Sequence, residues 1–496
     1  MANNLHFRVD FASSNLLLRV NSGTIILPFC EKRSILNLLF CGKKVPGETD
    51  MLRRKIYDRL LDWKDNDKGS CALLVAGARR VGKSFIAREF ARKEYKSHIF
   101  IDFSEASDET KDLFMHETGD LDLFFAKLSA LFRTKLFERE SLFVFDEVQQ
   151  FPRARELIKK FVRDGRYDYL ETGSLITLRK NVEDIVIPSE EERIEMFPFD
   201  FEEFLWATGD ESTFPILRDA FEKRIPLGQA LHRQVMNLFR QYMLVGGMPQ
   251  PVLEYLKEKD FRAADRIKRR ILRLYRDDVT KFAGRNQAKV LSVFDGIPSQ
   301  LSRKEKRYRL SSLDPNARMR EYEDAFVWLA EAMVVNVCFN STDPSVGLSL
   351  NAERTTRKCY MADTGLLVSH SFSDDGSADN DLYRDILLDR LHVNEGMLVE
   401  NVVAQELRSG GHSLFFFSRS DSSDRSNDME IDFLIRSGRR ICPVEVKSAA
   451  YQHHASLDKF RDRFSGMLGQ PYILYTKDLM EKDGILHLPI YMAGLL

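Results

Sequence analysis

The run Gly77-Ala-Arg-Arg-Val-Gly82-Lys83-Ser84 constrains this chain more than any other feature. It fits GxxxxGK[ST] at every fixed position, and it lies between an apolar strand-like run, CALLVAG, and a helix-like run, KSFIAREFARKEY. The glycines let the backbone curl until its N–H groups face one point, and the start of the following helix adds partial positive charge there. Such a loop is a cradle for phosphates. Gly77, Ala78, Arg79, Arg80, Val81, Gly82 and Phe85 are therefore read as lining a nucleotide site. Lys83 would reach the β- and γ-phosphates of ATP, and the Ser84 hydroxyl would ligate Mg²⁺.

The pattern that follows alternates. HIFIDF, SLFVFDE and YDYLETGS read as strands, with LDLFFAKLSALFR and ARELIKKFVRD as helices between them. Strands separated by helices of this length imply an α/β fold, a parallel sheet covered on both faces. SLFVFDE ends in Asp146 and Glu147. A buried strand that ends in two acids needs a partner for them, and Mg²⁺ is one. Asp146 would hold the metal through water, and Glu147 would act as general base on the attacking water. The next strand ends Glu171-Thr172-Gly173-Ser174, where either Thr172 or Ser174 would sense the γ-phosphate. Arg193 stands alone among eleven acids in residues 183–211 and is the candidate for an arginine acting on a neighbour's nucleotide.

Composition narrows the classes further. Seventy-four Lys and Arg against seventy-five Asp and Glu leave a net charge of −1, which neither demands nor excludes nucleic acid. The longest apolar runs, such as AMVVNVCF, fall well short of the ~18 residues that cross a bilayer, so no membrane span is expected. The six cysteines form no CxxC pair, so neither a zinc knuckle nor a disulfide framework is expected, and a reducing cytoplasm is. Locally the charge is uneven. Residues 257–320 hold nineteen Lys and Arg against eight Asp and Glu, with Lys304, Lys306, Arg307 and Arg309 the densest group. That excess is read either as a DNA-backbone surface or as a solvated helix face. Residues 1–50 show no sustained period and read as an extension, either a mobile arm or a segment ahead of a start at Met51.

Near the C-terminus MEIDFLIRSGRRICPVEVK reads as a β-hairpin turning at Ser437-Gly438. Side chains alternate across a strand, so Glu430 with Asp432, and Glu445 with Lys447, share faces. Asp432, then Glu445-x-Lys447 on the next strand, is the arrangement of metal-dependent nucleases. Asp432 and Glu445 would bind Mg²⁺, Lys447 would position the nucleophile, and Glu400 on the preceding helix would join them. Between these regions EDAFVWLAEAMVV, VCFN and KCYMAD read helix, strand, strand, an order that suits a small winged-helix unit.

GARRVGKS, FVFDEVQQ, LETGS, YMLVGGMPQPV, YMADTGLL, GMLVENVVAQEL, EIDFLI and VEVKS occur together and in order. In this the chain resembles the prokaryotic AAA-type ATPases that carry a C-terminal domain of unknown function, family 4143. The resemblance runs from about Met51 to Leu496. It implies a P-loop AAA+ αβα core over 51–205, a helical lid over 206–300, a winged-helix-like segment over 301–385 and a restriction-endonuclease-like domain over 386–496. It places Gly82, Lys83, Ser84, Asp146 and Glu147 in the nucleotide motifs, and Glu400, Asp432, Glu445 and Lys447 in the nuclease-like motif. Many relatives show Gly-Arg where this chain has Glu192-Arg193. The function expected is a Mg²⁺-dependent ATPase coupled to a DNA-binding, nuclease-like domain; the alternative is a nucleotide-gated switch or scaffold with an inactive nuclease-like domain. ATP, DNA and a second copy of the chain are the expected partners.

Overall fold

The computed structural model describes residues 8–12, 15–20, 23–27, 52–173, 189–303, 307–312, 317–345, 347–372, 383, 395–419, 428–448 and 453–496. Residues 1–51 form one unit and residues 52–496 a second. The first holds an antiparallel meander of β1 (Arg8–Ala12), β2 (Asn15–Val20) and β3 (Gly23–Leu27). The sequence reading saw no strand period there. In β2 and β3 the apolar residues run together as LLL and IIL, without the alternation that marks a half-buried strand, and the alternating RVDFA of β1 is only five residues long.

In the second unit, α1 (Ile56–Asp67) turns Ile56, Leu60 and Trp63 inward. Then follow β4 (Ala72–Gly77), α2 (Lys83–Glu94), β5 (Ser97–Asp102), α3 (Asp108–His116), α4 (Leu121–Leu131), β6 (Ser141–Asp146), α5 (Pro152–Asp164), β7 (Asp168–Gly173) and β8 (Glu191–Met196). The five strands form one parallel sheet in the order β5-β6-β7-β4-β8. β4, β6 and β7 are buried along their whole length, as strands covered by helices on both faces must be. One face packs an aromatic cluster of Phe103, Phe114, Phe124, Phe125, Phe143, Phe145 and Phe161. The phosphate-loop strand β4 and the acid-bearing strand β6 are not neighbours; β7 lies between them and brings Thr172 to the gap.

A helical region follows: α6 (Phe201–Ala207), α7 (Thr213–Lys223), α8 (Gln229–Val245), α9 (Pro249–Glu258), α10 (Phe261–Phe282), α11 (Gln287–Leu301) and α12 (Met319–Glu331). The hairpin β9 (Val335–Ser341) and β10 (Ala352–Met361) leads to α13 (Thr364–Ser371) and α14 (Glu395–Ser409). The chain ends with β11 (Phe415–Arg419), β12 (Met429–Ser437), β13 (Arg440–Val446), α15 (Ala455–Phe464), β14 (Tyr472–Tyr475), β15 (Met480–Lys482) and β16 (Ile485–Pro489).

Here the structure departs from the segments read from sequence. β9 and β10, expected in a small winged-helix unit, belong to an eight-stranded sheet in the order β10-β9-β11-β12-β13-β14-β16-β15. The link is a parallel pairing of β9 with β11, Phe339 opposite Phe415. One apolar core runs from Phe199 through α8, α10, α11 and α12 to Tyr491 and Ala493. The borders drawn at 300 and 385 do not divide this core. Local pattern cannot show such a union, because the pairing partners are about seventy-five residues apart in the chain.

Candidate nucleotide site and the C-terminal acid cluster

The phosphate loop bends where the sequence requires it. Arg80 sits at φ 71° and Gly82 at φ 105°, both in the left-handed region. A side chain at Gly77 would place its Cβ 2.6 Å from the Met196 carbonyl oxygen of β8, so strand packing as well as loop curvature demands glycine. Lys83 is 5% exposed and donates from Nζ to the carbonyls of Gly77 (3.0 Å) and Ala78 (3.1 Å). Burial pulls its pKa down, against the opposing pull of Glu147 and Asp146. Phe85, on the first turn of α2, is 56% exposed.

Asp146 ends β6 with its carboxylate buried. Ser84 Oγ donates to Asp146 Oδ1 at 2.8 Å, and the Thr172 hydroxyl donates to the same oxygen. Burial raises the Asp146 pKa despite these two bonds. A hydroxyl beside an under-compensated carboxylate, next to a phosphate cradle, fits Mg²⁺, which takes one or two protein ligands and fills the rest with phosphate and water. Glu147 follows at φ 50°, its N–H donating to Thr172 Oγ1 at 3.3 Å and its carboxylate accepting from the Gln149 amide. The structure thus joins Lys83, Ser84, Asp146, Glu147 and Thr172. Ser174 lies outside the described residues.

Arg193 is not gathered there. It lies on the edge strand β8 and donates to Glu195 Oε1 at 2.8 Å, in a separate cavity of about 500 Å³. Other groups, unread in the sequence, close on the loop instead. Arg54 is 6% exposed and donates to the carbonyls of Val81 (3.1 Å) and Phe197 (2.6 Å) and to Glu203 Oε1 (3.1 Å). From α10, Tyr275 donates its hydroxyl to the Arg79 carbonyl at 3.1 Å, and Asp278 pairs with the Arg79 guanidinium at 2.6 Å. No spacing signals such contacts, which join residues far apart in the chain.

A second polar centre lies between the two sheets. Phe199 N–H donates to the Gly247 carbonyl at 2.7 Å, an approach so close that a Cβ at Gly247 would sit 2.2 Å from the Phe199 carbonyl oxygen. The Tyr242 hydroxyl lies 2.7 Å from both the Phe199 carbonyl and Glu406 Oε1. Gln405, beside it on α14, donates to Tyr242 and accepts from the Thr364 N–H and hydroxyl. Burial pushes the Glu406 pKa up to about 8, with Asp200 adding to the rise.

In the C-terminal sheet the expected residues do converge. Asp432 Oδ2 accepts from the Val446 N–H at 2.9 Å, Lys447 Nζ lies 2.7 Å from Glu445 Oε1, and Glu400 Oε2 accepts from the Tyr360 hydroxyl at 3.2 Å. Burial, then the neighbouring Asp432, pushes Glu445 up to about 7, and its Oε2 has no hydrogen-bond partner. The sequence reading missed Lys358 on β10. It is 1% exposed, and its Nζ lies 3.0 Å from Glu430 Oε1 and 3.3 Å from Asp432 Oδ1. Burial opposes its charge, but Tyr360, Asp432, Glu430 and Glu400 together hold it charged, well above the usual lysine range. The Lys358 ammonium takes the carboxylate that a metal would need. Among the described residues no three His, Cys, Asp or Glu side chains gather as a metal group. Lys358 thus competes with the expected Mg²⁺ for Asp432.

Three family models match the chain: an AAA domain over residues 70–205, a domain of unknown function (8612) over 236–375 and a domain of unknown function (4143) over 395–491. No curated protein matches it. Similar solved structures include the Walker-type ATPase paby2304 of Pyrococcus abyssi, at 17% identity, 67% coverage of this chain, 99% of that chain and TM-score 0.38. The Aeropyrum pernix Orc1 protein in complex with DNA matches at 12% identity, 70% and 95% coverage and TM-score 0.26. AMPPCP-bound DnaA from Aquifex aeolicus matches at 12% identity, 58% and 87% coverage and TM-score 0.24. No described helix is long and apolar enough to cross a membrane. An AAA domain model thus covers the phosphate loop and a domain 4143 model covers the acid cluster, the pair of domains seen in the AAA-type ATPases that carry a C-terminal domain of unknown function 4143.

Proposed function

We propose that the chain hydrolyses ATP and relays its nucleotide state to the C-terminal sheet. One observation carries the reading: Lys83, Ser84, Asp146, Glu147 and Thr172, from α2 and the ends of β6 and β7, meet at the curled loop. When ATP binds, Lys83 leaves the Gly77 and Ala78 carbonyls for the phosphate oxygens, its burial making that new charge contact strong. Ser84 and Asp146 would hold Mg²⁺, which when bound neutralises charge on the phosphates. Glu147 accepts the proton of the attacking water, while Thr172 fixes its backbone and aims the carboxylate.

Two sets of contacts support the relay. Arg79–Asp278 and Tyr275 tie the loop to α10, and the Phe199–Gly247–Tyr242–Gln405 joint ties the segment after β8 to α14. For the C-terminal sheet, Lys358 favours the second reading drawn from sequence: a nuclease-like pocket that does not cut. Lys83→Ala should abolish phosphate release from ATP, whereas wild-type protein with Mg²⁺ should leave supercoiled DNA uncut. Nicking that is lost in Asp432→Ala would restore the cleavage reading; turnover that survives in Lys83→Ala would remove the ATPase.

A further inference from the structure

Beside the phosphate loop, between α9 and α10, lies a groove of about 650 Å³. Its charged lining is Arg80, Lys257, Arg270 and Arg273 against Glu254 and Asp277. Lys257 is paired with Glu254 at 2.9 Å. Arg266, Arg270 and Arg273 are exposed and pair with no acid among the described residues. They sit four and three residues apart on one face of α10, so over roughly 10 Å a rigid helix presents a guanidinium at each turn. Unpaired arginines at regular spacing along a straight element are the complement of a regular phosphate backbone. An isolated acidic side chain would need one of them.

The opposite face of the same helix holds the loop. Tyr275 donates to the Arg79 carbonyl, and Asp278 holds the Arg79 side chain. Arg80, the next residue, opens into the groove itself. We propose that this groove is a docking surface for the backbone of duplex DNA, and that α10 passes the occupancy of that surface to the phosphate loop. A polyanion in the groove draws Arg80 and α10 together and shifts the Arg79–Asp278 pair, which sets how Arg79 meets the phosphates. The relay half rests on the ATPase reading above; the docking half does not.

The test uses the full chain, a short labelled duplex of mixed sequence, and the double variant Arg270→Gln/Arg273→Gln. Among the described residues neither arginine forms a hydrogen bond or ion pair with the phosphate loop, so turnover without DNA and the melting temperature should match wild type. Wild type should bind the duplex with a salt-dependent Kd. The double variant should bind more weakly, with a salt slope smaller by about 2, about 1 for each lost phosphate contact. Duplex should raise wild-type ATP turnover and leave the double variant unchanged. Equal affinity and slope in the two proteins, or tighter binding of single-stranded RNA than of duplex, overturns the docking surface. So does a double variant that loses self-association while DNA binding is intact, since the groove is then a contact between copies. DNA binding without any change in turnover overturns the relay. Absent turnover with intact DNA binding would sink the ATPase reading and the relay together but spare the surface.

Discussion

At the residue scale, the nucleotide site was legible because its chemistry is written contiguously. GARRVGKS, then two acids at a strand end, predict Lys83, Ser84, Asp146 and Glu147 with no knowledge of packing. The choice between Thr172 and Ser174 was not legible; strand register puts Thr172 on Asp146. Lys358 was invisible because its partners lie more than seventy residues on, with two other strands, β9 and β11, between them in the sheet. Removing it makes a sharp prediction. Lys358→Met leaves Asp432, whose side chain is 16% exposed, without its ammonium partner, at a cost of up to about 3–5 kcal/mol in chelator-treated protein. Mn²⁺ should recover part of that loss in the variant and do nothing for wild type in thermal denaturation. A variant as stable as wild type, or a wild type that Mn²⁺ stabilises through this pocket, would contradict the pairing described.

At the element scale, α10 is the piece whose two faces serve different ends. Its sequence announced a charged helix, RIKRRILRLYRDD, but not which charges face inward. Lys268 is buried, while Asp278 reaches the loop. The Arg79–Asp278 pair is half-exposed on the arginine side and is therefore worth no more than about 1 kcal/mol. Asp278→Asn frees Arg79 for phosphate and should tighten ATP binding by up to about fivefold, as read by calorimetry. Weaker binding would mean that Asp278 positions Arg79 for the nucleotide rather than competing for it. The β9–β10 hairpin teaches the complementary lesson. Its strands and the preceding helix were readable from apolar runs, yet its place in the sheet was fixed by a parallel pairing with β11 that no local pattern carries.

At the scale of the whole molecule, one apolar core joins the helical region to the C-terminal sheet, and a buried polar joint links both to the segment after β8. This joint has a pH dependence. Glu406 is held up at about 8, against an ordinary 4.5, so its folded state keeps a proton that the unfolded chain gives up. The stability it contributes is fully present below about pH 4.5 and is lost as pH rises through about 8. Glu406→Gln should flatten the fall in urea-unfolding stability between about pH 4.5 and 8, the span in which only the folded chain holds this proton. An unchanged slope would place the effect elsewhere, for instance on Glu445.

The proposed ATP site stands on the curled loop and the two acids beyond it. Phosphate release by the full chain with ATP and Mg²⁺, measured for wild type, Lys83→Ala and Glu147→Gln, tests it most directly. Wild type should turn over, Lys83→Ala should not, and Glu147→Gln should bind ATP yet turn over some 10²–10⁴-fold more slowly, the usual worth of a general base. A folded wild type that neither binds nor hydrolyses ATP, or a Lys83→Ala protein as active as wild type, would contradict it.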